Sequence, residues 1–387
     1  MRWVIVGLGV VVGACSDTNG GNGSATEQAR RSLLAAAGEC ALSSAEEFRL
    51  AANALEGFVT AYVADPIPQR RAVAQEGYKL ALDVWQRNEP FQFGPAATSV
   101  SPGGQDLRDS IYAWPLVSRC AVEEQILSQG YAAPGFRDTL VTRRGLGALE
   151  YLLFFTGTDT ACPAGSATAI GWGAMTDNER ETRKRAYAMV VATDVRARAE
   201  ALVEAWTPLG GNFLRQLREP GSAGAVYASS QAALNAVSDA AFYIELTTKD
   251  AKLARPLGLR DCATATCIEA VESPFALRSK VNVRENIRGF RKLMEGCSNT
   301  FQGTGFDDLL SAVGATSAAD ALVAANTAMG AALEAVDEAD LALGITNNLP
   351  SVRAVYDAIK ATTDLLKTQV LSVLDLELPA LVEGDND

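Results

Sequence analysis

The sequence predicts an all-α protein made of two up-and-down helical bundles packed together. Apolar residues recur at three- and four-residue steps, as in Val352, Val355, Tyr356, Ile359, Leu366, Val370 and Val373, which draws one apolar stripe along a helix. Alanine is abundant on such stripes, and small side chains let helices approach closely. Alternating runs bounded by tight Asn-Gly or Asp-Gly turns, the signature of hairpins, are missing.

The elements follow in chain order. Arg2 precedes an apolar run from Trp3 to Val12, too short for the roughly 20 residues that span a bilayer, so residues 1–15 are expected to be a signal peptide. The run ends on Val12-Gly13-Ala14-Cys15, which resembles a bacterial lipoprotein cleavage box and makes Cys15 the expected lipidation site. Ser16 at the next position points to an outer-membrane address, facing the periplasm or the surface. Residues 16–27, rich in Gly, Asn and Ser, are expected to be a flexible tether.

Residues 28–218 then form the first expected bundle. Ser44-x-x-Glu47 and Thr176-x-x-Glu179 have capping-box spacing, in which hydroxyl and carboxylate satisfy each other's amides at a helix start. The Gly- and Pro-containing break at 218–225 is the expected boundary, and 225–381 is the second bundle. There Leu322, Ala325, Met329, Ala332, Leu333 and Val336 repeat the apolar stripe one helix before the last.

Cysteine usage agrees with export. Setting Cys15 aside leaves six cysteines, an even number suited to an oxidising compartment. Cys262 and Cys267 are close enough to staple their own loop, an expected disulfide; six cysteines allow 15 pairings, and the sequence leaves the pairing of the other four open, Cys120 with Cys162 and Cys40 with Cys297 being a guess.

Composition removes several functions. The chain of 387 residues carries a net charge of −12 and no basic run longer than the three residues Arg183-Lys184-Arg185, so nucleic acid is not an expected partner. It contains no histidine, which removes Ser-His-Asp and Cys-His nucleophiles and HExxH zinc sites. A metallopeptidase would have to assemble three zinc ligands from carboxylates and thiols alone.

Three stretches of the first half combine rings with charges. In "LDVWQRNEPFQFGPA", Trp85 and Glu89 stand four apart on one helix face, and the helix stops at Pro90. In "DLRDSIYAWPLVSRC", Arg108, Tyr112 and Trp114 precede Pro115, which kinks or starts a helix. In "RRGLGALEYLLFF", Arg143, Gly147 and Glu150 share a face at helical spacing. A carboxylate on so apolar a helix must be paired, hydrogen-bonded or metal-bound. For Glu150 the readings are an ion pair with Arg143, Arg144 or Arg108, a metal contact, or a ligand contact.

In this order, "WQRNEPFQFGPA", "IYAWPLVSRC" and "GLGALEYLLF" resemble the marker segments of the imelysin family, also called insulin-cleaving membrane protease-like proteins. "ALVEAWTPLGGNF" and "ESPFALRSKVNVRENIRGFRKLMEG" are similar to its downstream segments. The resemblance implies an exported, helical, two-bundle protein of bacterial envelopes, associated with iron uptake, with a Gly-x-His-x-x-Glu motif proposed to bind metal. Gly145 and Glu150 match that motif, but Gly147 stands where its histidine belongs. Glu89 matches the acidic residue before Phe91 and Phe93, and Trp114-Pro115 the Trp-Pro step, whose following acidic pair is Val117 and Ser118 here. The candidate binding cleft is therefore Trp85, Glu89, Arg108, Trp114, Arg143 and Glu150, with Glu150 and Glu89 as an incomplete oxygen site for iron or calcium. The expected function is a non-enzymatic, lipid-anchored envelope protein that binds a ligand or assists iron uptake. The alternative is a scaffold that binds another envelope protein.

Overall fold

In the computed structural model, residues 19–380 and 382 are described. Cys15 and the signal-like segment lie outside them. Among the described residues there is no strand, and no helix is long and apolar enough to cross a membrane.

The first half is organised around α1 (Asn19–Ala64), which turns back through a three-residue link into α2 (Pro68–Asn88). Pro68 opens α2 at a position where its missing N–H is not needed. After α3 (Leu107–Ile111) and α4 (Arg119–Ser128), α5 (Gly145–Phe154) packs between α2 and α7 (Asp177–Trp206), with α6 (Ala167–Ala174) beside α4 and α8 (Phe213–Arg218) against α1.

Two expectations change here. The tether expected over 16–27 is helical from Asn19, and Glu27 anchors it by accepting the Ser230 hydroxyl at 2.7 Å. Ser44 starts no helix. It lies buried inside α1, while Glu47 reaches Arg87 of α2 at 3.0 Å instead of capping. Thr176 and Glu179 do form the reciprocal capping box at the start of α7.

The second half runs from α9 (Ser230–Ala241) into a π-helical segment, Ile244–Ala254, then α10 (Ser279–Met294), α11 (Phe306–Ala312), α12 (Thr316–Glu334) and α13 (Leu341–Leu365). A second π-helical turn, Leu366–Val370, leads into α14 (Leu371–Leu374). This π turn shifts the face of the last helix, so Val370 is buried as expected but Val373 is exposed.

One apolar core runs through both halves, across the break at 218–225. Helices α2 and α10 touch so closely that a Cβ on Gly289 would stand 2.2 Å from the Arg87 carbonyl oxygen, which only glycine permits. The bridges are Cys262–Cys267, as expected, with Cys40–Cys297 and Cys120–Cys162, which the sequence leaves open. Cys40–Cys297 ties α1 to the chain beyond α10.

These bridges close loops of very different length, 257 residues against 5. Chain entropy then assigns about 5 kcal/mol to Cys40–Cys297 and about 2 kcal/mol to Cys262–Cys267. Denaturant unfolding of paired Cys→Ala variants should show the first loss at least twice the second. Equal losses would mean that native contacts, not loop closure, set the contribution.

Candidate functional site

Helix α2 ends in a buried carboxylate. Glu89 is fully buried, and its oxygens accept from Trp85 Nε1, from Arg108 Nε and Nη2 at 3.1 and 3.0 Å, and from Gln92 Nε2 at 3.0 Å. The four-residue step from Trp85 to Glu89 is what brings indole and carboxylate together. Burial lowers the Arg108 pKa, but Glu89 and its neighbours outweigh that and the net shift is upward.

A second buried pair lies next to it. Lys252, on the π-helical segment, is 1% exposed and stands 3.0 Å from Glu272 Oε2. Its ammonium donates to Gln86 Oε1 at 2.7 Å and Asn286 Oδ1 at 2.8 Å, and lies 5.7 Å from the Trp114 ring and 5.6 Å from the Tyr243 ring. Glu272 Oε1 accepts from Tyr112 at 2.6 Å and from Gln86 Nε2 at 3.0 Å. Burial lowers the Lys252 pKa, and Glu272 and Glu89 oppose it. The four charged groups sum to zero.

Glu150 faces this centre from α5. It is 5% exposed, and its Oε1 accepts the backbone N–H groups of Phe275 at 3.0 Å and Ala276 at 2.9 Å. Ser273 and Leu277 take left-handed backbone, at φ 53° and 55°, and so bend the segment that aims these amides. Desolvation nevertheless dominates, and with repulsion from Glu272 it raises the Glu150 pKa to about 7 despite the two amides.

Glu150 and Gly147 line a cleft of about 370 Å³, walled by Trp114, Tyr151 and Phe275. Tyr151 stacks on Phe155, and the Arg119 guanidinium lies 4.2 Å from the Phe155 ring. Arg255 and Glu269, both exposed, complete the rim. Among the described residues the Arg255 guanidinium pairs with no carboxylate.

The sequence-predicted set is thus partly assembled. Trp85, Glu89 and Arg108 form one contact group, and Trp114 and Glu150 line the cleft beside it. Arg143 stands apart, because α5 begins only at Gly145 and Arg143 sits in the preceding turn, where its carbonyl accepts from Tyr187. Among the described residues no arginine pairs with Glu150: Arg108 is held by Glu89 and Asp109, and Arg144 by the Ser110 carbonyl and Asp194. Pro115 neither kinks nor starts a helix; α4 starts at Arg119, capped by Ser118. Sequence reasoning missed Gln86, Tyr112, Lys252, Glu272 and Asn286.

A family model described as imelysin, under a peptidase heading, matches residues 41–369. The chain belongs to the imelysin family. No curated protein matches it. It is similar to a solved structure named an iron-regulated protein A precursor, from Parabacteroides distasonis ATCC 8503, at TM-score 0.68 and 16% identity over 90% of this chain and 95% of that one. It is also similar to an imelysin-like protein from Psychrobacter arcticum 273-4, at TM-score 0.65 and 16% identity over 91% and 97% of the two chains. These likenesses show a shared fold.

The imelysin metal motif can now be tested against this chain's donors. Four N–H bonds fall on Glu89, three of them on Oε2, and Arg108 balances its charge, which leaves a cation one lone pair of Oε1 and no net charge. A Cβ on Gly147 would stand 2.8 Å from Val117 Cγ2, so valine fills the space of the missing imidazole. Cys120, Glu124 and Cys162 cluster elsewhere, but their sulfurs are joined in a disulfide. The residues present do not fit iron or calcium at Glu89 and Glu150.

Two outcomes follow. A carboxyl whose pKa rises from 4.5 to about 7 on folding destabilises the native state as pH climbs through that window, by on the order of 3 kcal/mol above it. Glu150→Gln should therefore melt higher than wild type at pH 8 and converge with it near pH 4.5; a gap independent of pH would refute the shift. Gly147→His should lose about 1–3 kcal/mol through the Val117 collision, and Val117→Ala should recover part of it. A Gly147→His chain as stable as wild type would show that an imidazole still fits.

Proposed function

We propose that this imelysin-family chain is a lipid-anchored protein of the bacterial envelope that binds a small carboxylate-bearing ligand without transforming it, in a setting associated with iron uptake. The observation that carries the reading is the Glu150 cleft. Its floor holds a carboxyl that is half-protonated near neutrality, and a protonated carboxyl donates a hydrogen bond to an anion. Arg255 supplies a guanidinium at the rim that pairs with no carboxylate among the described residues, while Trp114, Tyr151 and Phe275 supply apolar walls. Because Arg119 already covers the Phe155 face, the rings are poorly placed to cage a cation.

Peptidase chemistry finds little support in the same residues. The chain has no imidazole to act as base or zinc ligand, and Glu89 is sealed by its donors. Iron association rests on the family and on the printed name of one structural neighbour. The outer-membrane anchor rests on the sequence around Cys15, and the two-bundle division on the break at 218–225.

Trp114 provides the readout. Fluorescence titration with benzoate, citrate and ferric citrate should give a saturable change for at least one, tighter at pH 6 than at pH 8. Arg255→Ala should weaken it about tenfold, and Glu150→Gln should remove the pH dependence. No saturable response from wild type, the outcome a pure scaffold predicts, would overturn the proposal.

A further inference from the structure

The buried centre behind the cleft is built like a cation site. Three oxygens from three elements surround one point: Gln86 Oε1 of α2 at 2.7 Å, Asn286 Oδ1 of α10 at 2.8 Å, and Glu272 Oε2 at 3.0 Å. The rings of Trp114 and Tyr243 close two further sides, at 5.7 and 5.6 Å. That point is occupied by Lys252 Nζ. Gln86 Oε1 and Asn286 Oδ1 accept hydrogen bonds from the ammonium, and Glu272 Oε2 faces it as an ion pair.

Each ligating oxygen is itself oriented. Asn286 Nδ2 donates to the Gln86 carbonyl at 2.8 Å and to Gln86 Oε1 at 2.9 Å, while Gln86 Nε2 and Tyr112 hold the other oxygen of Glu272. Such outer bonds are what fix the ligands of a metal centre. Lys252, Gln86, Asn286 and Glu272 are all at least nine-tenths buried.

We propose that Lys252 is a resident cation standing in the place of a metal ion, and that its removal converts the centre into a site for a small monovalent cation. A tethered ammonium neutralises Glu272 and ligates the same oxygens at fixed stoichiometry. With Arg108 on Glu89, the centre has no charge left to attract a second cation. The inference rests on the oxygens around Lys252 and is independent of what the outer cleft binds.

The test is the thermal stability of the full chain in chlorides of potassium, ammonium, sodium and tetramethylammonium at equal ionic strength. Wild type should melt within about 1 °C in all four. Lys252→Ala should fall by about 5 °C or more in tetramethylammonium, which is too large to enter, and potassium or ammonium should restore at least half of the loss. If Lys252→Ala melts identically in all four salts, the centre is not a cation site and the proposal fails. Should the variant not fold in tetramethylammonium, its refolding yield decides: recovery in potassium or ammonium supports the proposal, and equal failure in every salt overturns it. Wild type is also equilibrated with Ca²⁺, Zn²⁺ or Fe³⁺ and dialysed. It should retain no stoichiometric ion, and one equivalent that Glu272→Gln abolishes would equally overturn the proposal.

Discussion

The structure depends on keeping one ion pair, Lys252 with Glu272, satisfied in its interior. Both residues are 1% exposed, and an unpaired charge at that depth costs several kcal/mol. The pairing draws in Gln86 from α2, Tyr112 from the segment after α3, and Asn286 from α10, so the centre can close only when both halves of the chain are in place. The π-helical stretch Ile244–Ala254 matters for this reason: its wider turn directs Glu245, Lys249 and Lys252 inward from one short segment. Gly289 then lets α2 and α10 approach closely enough for Gln86 and Asn286 to meet.

Neutrality at the centre decides what the neighbouring cleft can be. Glu89 and Glu272 each have a cationic partner, while Glu150 has backbone amides against desolvation, which holds its pKa at about 7. A histidine beside Glu150 would stabilise its charged form. With Gly147 and Val117 in that space the carboxyl tends instead to its protonated state. Losing the imidazole therefore changes the chemistry of the glutamate that remains, from a metal ligand to a hydrogen-bond donor.

Much of this was legible in the sequence, where helical periodicity applied. The stripe Val352, Val355, Tyr356 and Ile359 is buried as read, and Trp85 reaches Glu89 across one helical turn. The family segments point to one place in the fold, since Trp85, Glu89 and Arg108 meet there and Trp114 and Glu150 line the cleft beside them. The failures have local causes. Helical spacing puts Arg143 on the Glu150 face only if the helix starts before Gly145, and of the readings open for Glu150 none is the pair of backbone amides that holds it. Lys252 and Asn286 are invisible because they meet each other across 34 residues and Gln86 across 166 and 200, while their own stretches read as ordinary charged helix. Pairings of that range carry no periodic signal.

The most direct test of the account is a double-mutant cycle on the central pair, with unfolding free energies for Lys252→Met, Glu272→Gln and the two combined. If the pair organises the centre, each single change strands a buried partner and the combination recovers much of the loss, with a coupling of about 2 kcal/mol or more. Losses that simply add would contradict it, and would reduce the pair to two independently tolerated buried groups.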